Sequence, residues 1–234
     1  MSKTRYTTVF LDAGGVMVTP NFARLSDALA RRGLTVSAAA LATAEPRVKQ
    51  ELDHAPTIQA TDDRGRGYVY FDRILELAGI PPTPATAEAI EELVSFNDCE
   101  GAFDVVVPGA VEALNRLRSA PCQLVVVSNS NGRVRRILRR TGLEPHVDLV
   151  LDSHEEGVEK PDPRIFEIAI ERSQADRGAT IHCGDIYHID VAGARAAGLP
   201  AVLLDSAGLY KNADCPRVQS LPEFAERLLA GAFD

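Results

Sequence analysis

The sequence predicts an α/β fold, a Rossmann-like doubly wound parallel sheet with an inserted α-helical cap domain. Three observations predict it. The chain opens on an aromatic and β-branched run, Tyr6-Thr7-Thr8-Val9-Phe10-Leu11, that ends at Asp12 and Gly14-Gly15 as a buried strand would. From Asn21 to Phe96 the apolar residues recur at three- and four-residue spacing with no convincing strand, and this is far more than the dozen or so residues of one helical crossover. After Pro108 short apolar runs alternate with helical patterns, as successive βα units with right-handed crossovers do. The core is therefore assigned to residues 1–18 and 106–234, and the cap to 19–105.

Taken in order, the opening strand is followed by helical patterns over Asn21–Arg32, Ser37–Leu52, Tyr68–Leu77 and Thr86–Phe96. Gly33, Gly79 with Pro81-Pro82, and the polar run from Thr61 to Gly67 separate them. Val105-Val106-Val107 is the next strand. Pro108-Gly109 opens a helix through Arg118, and Leu124–Val127 is a strand ending in Ser128-Asn129-Ser130-Asn131-Gly132. A helix over Arg133–Arg140 buries Val134, Ile137 and Leu138, and its arginines are expected to form a solvated face. The strand Val147–Leu151 comes next. Asp162 and Pro163 are placed at N-cap and N1 of a helix through Arg172. Ala179–Cys183 is a strand ending at Gly184-Asp185, Asp190–Ala197 a helix, Ala201–Leu204 a strand, and Pro222–Leu229 a last helix.

A chain of 234 residues that is 45% hydrophobic can bury a sizeable core. Its net charge of −8 argues against a nucleic-acid partner, which would want a basic face, and suits a divalent cation better. No apolar run reaches membrane-spanning length, and Met1–Thr8 is too polar and short for a signal peptide, so a cytoplasmic protein with no membrane partner is expected. Cys99, Cys122, Cys183 and Cys215 stand far apart without zinc-ligand spacing and read as reduced thiols.

Four stretches fall at strand ends or just before a helix, hence on one rim of the sheet. They are Asp12-Ala13-Gly14-Gly15, Ser128-Asn129, Glu159-Lys160-Pro161-Asp162-Pro163 and Gly184-Asp185 through Asp190. Together they offer a carboxylate nucleophile, a hydroxyl, a fixed ammonium and a pair of acids. Mg²⁺ takes carboxylates, carbonyls and water, and a phosphoryl group wants a cation and N–H or O–H donors around its oxygens, so the set suits phosphoryl transfer. Read singly, Asp185 and Asp190 are as well explained as a turn former and an N-cap, and Lys160 as a solvated charge.

In order and in flanking pattern these four stretches resemble the haloacid dehalogenase (HAD) superfamily, along essentially the whole chain. The resemblance implies a HAD-like core, a helical cap closing over the site, and a Mg²⁺-dependent hydrolase of the phosphatase type acting on a small phosphorylated substrate. It further implies that Asp12 attacks phosphorus to form an aspartyl-phosphate, and that Mg²⁺ is held by Asp12, the carbonyl of Gly14 and Asp185, with Asp190 as a further or water-mediated ligand. Ser128 and Lys160 would hold the phosphoryl oxygens, helped by Asn129 and the amides of Ala13 and Gly14.

The pattern departs from the family's phosphatases at one position. Two residues after the nucleophile they carry an aspartate that protonates the leaving group and activates water, and here Gly14 stands there. A slow or specialised phosphatase is one expectation, acting on esters with good leaving groups or borrowing a proton donor from the cap, with Asp53, His54, Asp62 and Asp63 as candidates; His188 is a further candidate acid near the rim. A second reading is a phosphonatase-like C–P hydrolase using Lys49, the only cap lysine, as a Schiff base. A third is a catalytically silent domain that binds a phosphorylated ligand or a protein.

Overall fold

The computed structural model describes residues 4–54 and 63–234. Among the described residues, the chain passes from β1 (Thr8–Leu11) through β2 (Val18–Thr19) into α1 (Phe22–Ala30), α2 (Ala38–Leu52), α3 (Asp63–Leu77) and α4 (Pro84–Glu100). It returns through β3 (Val105–Val106), which pairs antiparallel with β2 in a two-stranded ribbon. The rest alternates: α5 (Ala110–Ser119), β4 (Gln123–Ser128), α6 (Val134–Arg140), β5 (Leu149–Asp152), α7 (Ser153–Glu156), α8 (Arg164–Ser173) and β6 (Thr180–Gly184). Then come α9 (Ala192–Ala196), β7 (Ala201–Leu204), β8 (Arg217–Val218) and α10 (Leu221–Leu229).

The main sheet has the order β5-β4-β1-β6-β7-β8, with every neighbouring pair parallel. Alternate side chains point to opposite faces, so both must be covered. Val9, Leu11, Leu124, Val126, Ile181 and Cys183 pack on one face in a cluster that includes residues of α5 and α10. Phe10, Val125, Val127 and Leu151 pack on the other with residues of α8 and α9. Helices α1, α2, α3 and α4 bury a separate cluster of their own, including Leu25, Leu41, Ile74 and Leu93. Among the described residues no helix is long and apolar enough to cross a membrane.

Several local readings shift. Thr83 caps α4 reciprocally with Thr86, so that helix starts at Pro84 and runs on to Glu100. Asp162 still caps, accepting from Arg164 N at 2.9 Å, but α8 begins one residue beyond the expected start. No α-helix begins at Asp190, because a π-helical turn over Tyr187–Val191 precedes α9. The arginines of α6 are not simply a solvated face. Arg133, Arg136 and Arg140 donate to the carbonyls of Asp98, Cys99, Glu100 and Gly101, satisfying the C-terminal end of α4.

Candidate functional site

Strand β1 is where the sheet's winding reverses: the chain goes out through β4 and β5 on one side and through β6, β7 and β8 on the other. A crevice outside the carboxyl ends of the strands follows from such a reversal. Leu11 pairs with Val126 and with Cys183, so Asp12, Ser128 and Asp185 emerge side by side at the same edge. Lys160 reaches them from the loop before α8, its ammonium 3.1 Å from Asp12 Oδ1 and 2.7 Å from Asp190 Oδ1. Asp12, Asp185 and Asp190 each place a carboxylate oxygen within 4.8 Å of the other two. An all-oxygen donor set of this kind fits a hard cation such as Mg²⁺.

Burial works against every charge in this bowl. It raises the Asp12 carboxyl, Lys160 pulls it back, and the charges of Asp190 and Asp185 push it up again, to about 7 in all. Burial also raises Asp185, opposed by Lys49. For Lys160 burial alone would favour the neutral amine, and Asp12 with Asp190 outweigh it and raise the group above the usual lysine range. Burial works against the Asp190 charge, and Lys160 and His182 overcome it, bringing that carboxyl well below the usual range. Three carboxyl groups thus face two ammoniums, and with Asp12 and Asp185 raised by burial an added cation would favour their ionised forms.

Asp190 is fully enclosed and its oxygens are already engaged. Oδ1 meets Lys160 and His182 Nε2 at 3.1 Å, and Oδ2 accepts from the amides of Asp185 and Ile186 at 3.1 and 3.0 Å. It thereby fixes both Lys160 and the loop that carries Asp185. Two glycines make this approach possible. A Cβ on Gly184 would lie 2.1 Å from Asp190 Cγ, and one on Gly15, whose φ is +71°, would lie 1.8 Å from Asp185 Oδ2. Asn129 is similarly committed, its side-chain amide exchanging two 2.8 Å hydrogen bonds with the Lys160 main chain, so it positions the lysine. Asp12, Ala13, Gly14, Ser128, Asn129, Lys160 and Asp185 line one cavity of about 780 Å³ between the sheet and the helical segment.

Helix α2 brings a second set of charges to the same loop. Lys49 Nζ lies 2.7 Å from Asp185 Oδ2 and 2.9 Å from Glu45 Oε1, and Glu45 also accepts from the Tyr70 hydroxyl at 2.7 Å. Burial alone would lower Lys49, and Asp185 with Glu45 raise it above the usual range, so its amine is held protonated. One turn further, Asp53 accepts from the amides of Tyr187 and His188 at 2.8 and 2.9 Å and meets His188 Nδ1 at 2.9 Å. Asp53 and His188 thus join the helical segment to the core. His54 is exposed; Asp62 lies outside the described residues, and Asp63 is described only as the start of α3.

Sequence reasoning missed Glu45, His182 and Phe103. Glu45, Lys49 and Asp53 recur every four residues and therefore share a helix face, a signal available in the sequence. Phe103 had none. A Cβ built on Gly14 would meet its ring at 3.7 and 3.8 Å, ordinary contact.

The haloacid dehalogenase-like hydrolase family matches residues 6–198. The mouse (Mus musculus) haloacid dehalogenase-like hydrolase domain-containing protein 3 is 34% identical over 158 residues, 66% of this chain and 62% of that protein. A ribulose-1,5-bisphosphate 5-phosphatase from Halopiger xanaduensis is 34% identical over 139 residues, 59% of this chain and 57% of that protein. The matched region thus spans less than two thirds of these relatives' length. The putative HAD-hydrolase YfnB from Bacillus subtilis, bound to magnesium, superposes with a TM-score of 0.68 at 19% identity, covering 96% of this chain and 99% of that one, a likeness of fold. A family match that runs through both the sheet and the helical segment, over a rim carrying all four expected stretches, makes this chain a member of the haloacid dehalogenase-like hydrolases.

Proposed function

We propose that this hydrolase is a Mg²⁺-dependent phosphatase acting on a small phosphorylated metabolite through an aspartyl-phosphate at Asp12. The observation that carries the reading is Lys160, fully buried and bridging Asp12 and Asp190 beside the carboxylate of Asp185. A cation so placed restrains the attacking carboxylate and meets the incoming phosphoryl oxygens. The named phosphatases among the relatives, including one for ribulose bisphosphate and one for glyceraldehyde 3-phosphate, support the class.

Asp12, the Gly14 carbonyl and Asp185 would hold Mg²⁺, and Asp190, whose oxygens are engaged, would act through water. The ion supplies charge neutralisation for the substrate phosphoryl group. Asp12 attacks phosphorus as the ester oxygen leaves, and water then cleaves the aspartyl-phosphate and restores the carboxylate. Ser128 and the amide of Gly14 donate to the phosphoryl oxygens; the Ala13 amide, expected to join them, donates instead to Asp12 Oδ1 at 2.7 Å and orients the attacking carboxylate, while Asn129 holds Lys160 in place. The segment 19–105 serves as a cap over the core of 1–18 and 106–234, with Asp53 as its clamp. Mg²⁺-dependent release of phosphate from a phosphomonoester, lost in Asp12→Asn, tests the proposal. Binding of phosphate esters without turnover would instead leave a silent ligand-binding domain.

One observation favours the phosphonatase-like reading: the Lys49 ammonium reaches the site. Schiff-base formation needs the neutral amine, and Asp185 with Glu45 hold it charged, so this reading ranks second. Borohydride trapping of Lys49 with phosphonoacetaldehyde would reverse the order.

A further inference from the structure

We propose that the substrate is a phosphomonoester of a phenol, its ring seated against Phe103 at the side of the site where Gly14 supplies no proton. The proposal rests on the phosphatase reading above and narrows it.

Two observations point the same way. The first is the wall beside Gly14. Phe103 Cδ1 and Cε1 lie 3.7 and 3.8 Å from the place a Cβ at position 14 would occupy, so a ring edge borders the space that an acidic side chain there would enter. The wall continues: Leu52, Tyr70, Phe71 and Val94 from the helical segment, and Val134 and Ile137 from the core, line the same cavity. At about 780 Å³ it lies within the usual ~300–1,000 Å³ of small-molecule sites and has room for a ring beyond the phosphoryl group.

The second is the chemistry that position 14 imposes. When Asp12 attacks, the bond from phosphorus to the ester oxygen breaks and its electron pair stays on that oxygen. An alkoxide leaving this way must be protonated as it forms, since alcohols hold their protons nearly as tightly as water, pKa ~15.7. A phenol resembles the tyrosine side chain, pKa about 10, and departs as phenolate without help. It takes its proton from solvent afterwards. The aspartyl-phosphate that remains loses a carboxylate, a still better leaving group, when water attacks, and the water gives its proton to bulk solvent in place of a base at position 14, so neither half needs a proton donor there. An apolar ring edge where a proton donor would stand thus suits an aryl leaving group in shape and in chemistry.

The test is a leaving-group series on the full chain with Mg²⁺: substituted phenyl phosphates, free phosphotyrosine, a phosphotyrosyl peptide and alkyl phosphates. Phenyl phosphate is expected to exceed propyl phosphate in kcat/KM by about 10² to 10⁴. Free phosphotyrosine should be turned over and the peptide rejected; the reverse would make the source a protein and overturn the small-molecule assignment. Phe103→Leu should lower the aryl-to-alkyl ratio by roughly three- to tenfold, mainly through KM, and Phe103→Tyr should restore it. If Phe103→Leu does not fold, the series on the unaltered chain decides alone. Alkyl phosphates turned over as fast as aryl ones, or a ratio indifferent to Phe103→Leu, would overturn the inference while leaving the phosphatase standing. Release from no ester at all would instead sink the phosphatase reading itself.

Discussion

Replacing Gly14 by aspartate should raise phosphomonoesterase activity, and the structure gives room for the change. Gly14 does not have a positive φ, and the added Cβ meets nothing closer than the Phe103 ring at 3.7 Å. The carbonyl assigned to the metal belongs to the backbone and survives the substitution. A placed acid-base is worth about 10² to 10⁴ in rate, or ~3–5 kcal/mol of barrier at about 1.4 per decade. Because alkoxides need the proton and phenolates do not, the gain should fall mainly on alkyl phosphates. Steady-state kcat/KM for an alkyl and an aryl phosphate, on both proteins with Mg²⁺, reads it directly. A Gly14→Asp protein that folds and binds Mg²⁺ as the parent does, yet gains nothing on the alkyl ester, would refute the reasoning that position 14 limits the reaction.

Lys49 holds Asp185, which on the proposed function would also hold the divalent ion, so Lys49→Met should tighten Mg²⁺ binding. Unit charges about 4 Å apart interact by ~4 kcal/mol at an effective dielectric of 20, and returning a third of that to the metal gives about tenfold in Kd; isothermal titration that finds equal or weaker binding counts against the competition. Asp12 is raised from 3.8 to about 7, so in the metal-free protein its contribution to stability is fullest below about pH 4 and is lost as pH rises through about 7. Mg²⁺ needs the ionised carboxylate, and the Tm gain it confers should grow between about pH 5 and about pH 8; an equal gain at both would show that Asp12 does not carry it. Asp53→Asn retains an acceptor for only part of the clamp, and hydrogen exchange should rise at Tyr187 and His188 before it rises in β1; unchanged exchange there would remove Asp53 from its clamping role.

The sheet and its rim were legible because buried parallel strands appear as short apolar runs, and the three central runs stop at or just before Asp12, Ser128 and Asp185, the groups that meet on the rim. What could not be read was direction. Asp190 sits where a helix cap belongs, but its carboxylate turns inward onto Lys160, His182 and two amides, which no local pattern specifies. The arginines of α6 repeat like a solvated face, and their partners are carbonyls of a helix more than thirty residues earlier. Lys49 was visible as a lysine; that it reaches Asp185, 136 positions away, depends on how α2 lies across the rim. His182 alternates with Ile181 and Cys183 along β6, and its inward side chain follows from strand register that only the assembled sheet supplies.

On the proposed function Asp12 accepts the phosphoryl group beside a bound Mg²⁺, and the covalent adduct can be trapped. Rapid acid quench during turnover of phenyl phosphate, followed by peptide mass analysis, tests it most directly. The account predicts one phosphoryl group on the peptide bearing Asp12, present only with Mg²⁺ and absent in Asp12→Asn. Steady turnover with that peptide never labelled, or turnover that persists in Asp12→Asn, would contradict it.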